Sequence, residues 1–166
     1  MRLAAGRQSG ATLVELVMTI VIISVAIAGV VGAFALITGR SADPLNQTRA
    51  VELAQLYMDE ILTQRYDDNT PQGGTPAYSG GCNIGAEPGE NRSTFDDVDD
   101  YHNLTDSPPA SLQGVLAGYN GFSVAVMVAC AGGQVDLAPA NAKRIDLTIT
   151  APGGQDFAFS AYRANF

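Results

Sequence analysis

Glu15 stands five residues past Gly10, at the mouth of a run from Leu16 to Thr38 that holds 23 residues and no charge. An ionised carboxylate near a bilayer is costly unless it is paired, about 2.5–3.5 kcal/mol at a helix centre on insertion scales. The chemistry this spacing suggests is electrostatic: Glu15 calls for a cation. The alternative is a carboxylate resting among lipid headgroups, solvated and inert.

Two other groups of residues bear on chemistry. Asp96, Asp97, Asp99 and Asp100 place four carboxylates within five positions, between Phe95 and Tyr101. Calcium takes six to eight oxygen ligands and such a box offers several. The EF-hand pattern is absent, with no turn glycine and no glutamate at its twelfth position. The favoured reading is therefore a solvated turn in which one Asp caps a short helix and Phe95 and Tyr101 anchor the segment, with calcium as the alternative. His102 follows the box, but no Gly-x-Ser-x-Gly elbow accompanies it and there is no phosphate-binding loop, so an enzyme is not expected. Cys82 and Cys130 fit no metal-ligand spacing, and a disulfide is the simpler expectation for a domain outside the cytoplasm. It would close a 48-residue separation, worth about 4 kcal/mol on the chain-entropy estimate.

Composition narrows the classes. The 166 residues suffice for one small domain beyond an apolar segment, and a net charge of -8 argues against a nucleic-acid surface. Arg2 and Arg7 precede the apolar run and acidic sequence comes after it, a positive-inside pattern that predicts the head on the outer face of the membrane.

The elements that would position these residues can be read in order. The uncharged run is long enough, at a helical rise, to cross a bilayer core of roughly 30 Å. It exceeds the 7–15 apolar residues usual in a secretory signal, although Ala26-Ile27-Ala28 and Ala33-Phe34-Ala35 offer signal-type cut sites. Small residues recur at Ser24, Ala28 and Gly32, with Gly29 and Ala33 beside them, a spacing that lets membrane helices approach closely. Asp43-Pro44 predicts a kink or short break. Beyond it, Val51, Ala54, Met58, Ile61 and Leu62 form the apolar face of a helix ending near Arg65, with Leu53 and Leu56 toward the polar side. Residues 66–121 read as loop. Runs from Gly121 to Cys130, Arg144 to Thr150 and Asp156 to Arg163 read as antiparallel strands, the last two a hairpin.

Gly10-Ala11-Thr12-Leu13-Val14-Glu15-Leu16, behind a short basic leader and ahead of an apolar helix, resembles the type IV prepilin motif. The resemblance implies that a membrane prepilin peptidase cuts after Gly10 and that the new amine of Ala11 is methylated; the family's usual aromatic or Met at this position is Ala here. That amine, or a neighbouring subunit's, would then be the cation Glu15 requires. The segment Arg40-Ser41-Ala42-Asp43-Pro44, the acidic box and the terminal Ser160-Ala161-Tyr162-Arg163 resemble the MshD family of minor pilin-like proteins in biogenesis of the mannose-sensitive haemagglutinin (MSHA) type IV pilus. These likenesses imply an α+β, pilin-like fold with a long N-terminal helix, membrane-spanning in its first half, packed on a small antiparallel sheet. Its parts are a leader (1–10), a transmembrane and filament-core helix (11–39), an amphipathic second half (40–65), a disulfide-tethered loop region (66–121) and the sheet (122–166). The implied function is initiation, capping or tip assembly of such a pilus. The implied partners are prepilin peptidase, other major and minor pilins and the inner-membrane assembly machinery. A single-pass inner-membrane stage, with the N-terminus cytoplasmic and the head periplasmic, would precede entry into the pilus. A minor pseudopilin of type II secretion is the alternative, and a calcium-dependent adhesin head is the alternative of another class.

Overall fold

Helix α1 spans Leu13–Leu62. The structure is a computed structural model that describes residues 12–166, with the backbone alone over 35–43. The chain divides after Pro44 into two units, of which Leu45–Phe166 is the head.

In the first unit, Leu13–Phe34 is a 22-residue helical stretch, and it is the one span among the described residues long and apolar enough to cross a membrane. At 1.5 Å per residue it is about 33 Å long, close to the hydrocarbon thickness of a bilayer. None of it is buried by the chain itself: Leu16, Ile20, Ile23, Ile27, Val31 and Phe34 are all exposed. The hydroxyls of Thr19 and Ser24 donate to the carbonyls of Glu15 and Ile20, both at 2.7 Å, so these polar groups are satisfied within the helix.

Of the kink or short break expected at Asp43-Pro44, the break is not seen, since α1 runs through Pro44 without interruption. Proline removes one backbone bond, and flanking residues with good helix propensity, such as Leu45, Gln47 and Ala50, continue the spiral past it.

In the head, the buried face of α1 is Ala50, Leu53, Ala54, Tyr57 and Ile61. This corrects the stripe read from the sequence. Leu53 lies at its centre, Val51 is 38% exposed, and Met58, Leu62 and Leu56 are only partly buried. The face turns because Tyr57 is buried with its hydroxyl satisfied: it donates to Asp106 Oδ2 at 2.5 Å and accepts from the Ala110 N–H at 3.0 Å. A tyrosine can serve as a core residue when its polar tip finds such partners.

Six strands come after the helix: β1 (Thr105–Asp106), β2 (Ala110–Ser111), β3 (Gly114–Val115), β4 (Ser123–Cys130), β5 (Ala142–Thr150) and β6 (Asp156–Ala164). β1, β4, β5 and β6 form an antiparallel sheet in that order, and β2 pairs with β3 in a separate ribbon. The β5–β6 hairpin turns at Gly153 and Gly154, both at positive φ, where a side chain would be strained. Alternation puts Val124, Val126 and Val128 of β4 and Ile145, Leu147 and Ile149 of β5 on one face, where they join the helix stripe in a single core. On the opposite face Asp146 accepts from Arg144 Nε at 2.9 Å and from the Ser160 hydroxyl at 2.6 Å. Within residues 66–121, expected as loop throughout, the three short strands and a 3₁₀ turn at Asp99–Tyr101 are ordered additions.

Candidate functional site

The start of α1 is built by its own residues. Thr12 precedes the helix, and its Oγ1 accepts the backbone N–H of Glu15 at 3.3 Å. Thr12-Leu13-Val14-Glu15 has the T-x-x-E order of a capping box, which satisfies donors that a helix leaves open at its N-terminus. Glu15 therefore sits in the first turn, where the helix dipole favours a negative charge, and it is exposed. Gly10 and Ala11 lie outside the described residues.

The second constellation lies in the head, where the acidic box is not the solvated turn its composition suggests. Asp97, Asp99 and Asp100 are buried, while Asp96 is partly exposed. The Asp97 Oδ1 accepts the N–H groups of Asp99 (2.8 Å) and Asp100 (3.2 Å), and the Asp100 Oδ2 accepts those of Asp96 (2.9 Å) and Asp97 (3.1 Å). Each carboxylate thus holds the backbone that carries the other. Phe95 and Tyr101 flank the turn in edge-to-face contact, with ring centroids 5.1 Å apart.

The four aspartates divide between two groups. The inner group is Asp67, Asp97 and Asp99, all buried. Lys143 of β5, also fully buried, pairs with Asp99, donates to the Tyr66 carbonyl at 2.6 Å and lies 4.6 Å from the Tyr66 ring centroid. Burial, and then the charge of Asp99, push the Asp97 carboxyl up to about 8. This group already contains its cation.

The outer group is Asp68, Glu87 and Glu90, each with a carboxylate oxygen within 4.8 Å of the others. Gly89, at φ +99°, makes the turn that brings Glu87 and Glu90 onto one side. Asp96 and Asp100 close on this group. The contact with Asp96, ahead of burial, pushes Asp68 up to about 6, and the contact with Asp100, ahead of burial, pushes Glu90 up to about 7. Arg65 reaches its edge, paired with Asp96 and 3.8 Å from Asp68.

Cys82 and Cys130 are bonded, joining the loop to the end of β4 across 48 residues. His102 accepts the Val128 N–H at its Nδ1 (3.1 Å), which ties it to β4. Asp68, Glu87 and Glu90 carry no local signal in the sequence, because they are scattered among turn residues and meet only in the folded loops. Compared with known protein families, curated proteins and solved structures, the chain has no match.

Proposed function

We propose that this chain is a minor pilin-like subunit, cut after Gly10, that acts in initiating, capping or tip assembly of a type IV pilus of the MSHA kind. The observation that carries the reading is a capped helix start, Thr12 to Glu15, immediately after Gly10-Ala11 and opening a 22-residue, largely apolar span, Leu13–Phe34, that the chain leaves uncovered. A lipid bilayer covers such a surface before assembly, and the helices of neighbouring subunits cover it afterwards. Glu15 makes the second state conditional on a cation, supplied by the free amine of Ala11 on its own or a neighbouring chain.

On this reading the chain first crosses the inner membrane once. Arg2 and Arg7 stay on the cytoplasmic side and the disulfide-bonded head lies in the oxidising periplasm. Prepilin peptidase, the other pilins and the inner-membrane assembly machinery are its partners, and its action is association, not catalysis.

Mass spectrometry of the protein purified from membranes tests the processing step: the expected mature chain begins at a methylated Ala11. A start at Met1, or within residues 27–36 after an Ala-x-Ala cut, overturns it. Glu15→Ala should leave processing intact and lower the subunit's amount in sheared pili about tenfold or more, the factor that answers to about 1.4 kcal/mol of lost pairing. Wild-type amounts in the filament would exclude a pairing role.

A further inference from the structure

Three carboxyl groups from two stretches of the head, Asp68 after α1 and Glu87 and Glu90 on the Gly89 turn, bring oxygens within 4.8 Å of one another, and Asp96 meets Asp68 while Asp100 meets Glu90. Arg65 is the cation seen against them. Carboxylates this close repel unless a proton or a cation lies between them.

A separate observation points to what lies between them. Asp100 is only 2% exposed, and its Oδ2 is fully used by two backbone N–H groups. Its Oδ1 is buried with no hydrogen-bond donor among the described residues, and so is Asp96 Oδ1. The group the Asp100 carboxyl does meet is that of Glu90, itself an acceptor when ionised. Buried acceptors are almost always satisfied, so an orphan oxygen on each of two aspartates that meet this cluster marks a place where a positive partner belongs.

We propose that Asp68, Glu87 and Glu90 form a calcium site, with Asp96 and Asp100 at its wall. The donor set is all oxygen, with no imidazole or thiolate, which selects a hard cation over zinc or copper. Calcium accepts six to eight oxygens in irregular arrangements, and three carboxylates, some of them bidentate, reach that number together with water. Magnesium demands near-octahedral geometry and keeps several waters, a poorer fit to ligands gathered from separate loops. The neighbouring Asp67, Asp97 and Asp99 are not part of the site, because Lys143 occupies that position. Bound calcium would pin the 87–90 turn to the segment after α1. The proposal does not depend on how the N-terminal segment is processed.

The full chain, purified in detergent and stripped with a chelator, is titrated with calcium chloride by calorimetry and by thermal melting, with magnesium chloride in parallel. Calcium should bind at about 1 mM or tighter and raise the melting temperature, with magnesium weaker. The double variant Glu87→Gln/Glu90→Gln, in side chains near the surface, should fold and bind calcium about tenfold or more weakly. Asp67→Asn, in the inner group, should keep the wild-type affinity. No calcium-linked heat or melting shift up to roughly 10 mM overturns the proposal, since that exceeds the weak end of calcium modules. Unchanged affinity in the double variant overturns it equally. A double variant that melts higher than wild type without calcium, in a chain that binds none, assigns the contact to a shared proton instead.

Discussion

Lys143 shows how much one side chain can decide. Its ammonium is fully enclosed, paired with Asp99 and hydrogen-bonded to the Tyr66 carbonyl. Removing the amine while Asp99 remains leaves a buried charge without a counterion, a situation that costs about 3–5 kcal/mol. Lys143→Met should therefore destabilise the head by about that amount in denaturant melts, whereas Lys143→Met with Asp99→Leu should cost less than the single change, because no orphan charge is left. The same pair explains why the burial of the acidic box is not legible in the chain. Asp96 to Asp100 look like a hydrated run because Lys143 is 44 residues from Asp99 in sequence, and no local pattern ties them together. Glu15 is legible for the opposite reason. Its oddity lies in its immediate neighbours, an uncharged run on one side and Gly10 on the other.

Between elements, the loop and helix are joined by Arg92. Its guanidinium grips Glu60 of α1 in a two-pronged contact, Nε at 3.0 Å and Nη2 at 3.1 Å, pairs with Asp106 of β1, and lies 4.9 Å from the Tyr57 ring centroid. This cluster sets the rotation of α1 on the sheet, and it gathers residues from three distant stretches. The helix itself and the strands β4, β5 and β6 can be read from periodicity. The rotation of its buried face cannot, since it rests on partners for the Tyr57 hydroxyl that only the fold supplies. β1 escapes notice because two residues are too few to show an alternation. The β4–β5 connection yields a prediction at this scale. Gly132 is buried, and a Cβ there would overlap the Ala138 carbonyl and lie 3.1 Å from the Pro139 carbonyl, both backbone groups that cannot step aside. Gly132→Ala should destabilise the head by about 1–3 kcal/mol in the same denaturant melts, the usual penalty for overpacking.

Across the molecule, the two units have different requirements. Leu13–Phe34 is largely apolar and has no covering of its own, while the head buries its own core and carries a covalent tie. Replacing both Cys82 and Cys130 by Ser should lower head stability by about 4 kcal/mol, read as a drop in melting temperature relative to the oxidised wild type. That ring of chain, from Cys82 to Cys130, contains Glu87, Glu90, Asp96 and Asp100. A cation gathered by these groups binds a loop whose entropy the sulfur bond has already reduced, so the oxidised chain should hold calcium more tightly than the reduced one. Thermodynamic linkage is reciprocal: whatever affinity the bond lends the ion, the ion returns as resistance of that bond to a thiol reductant.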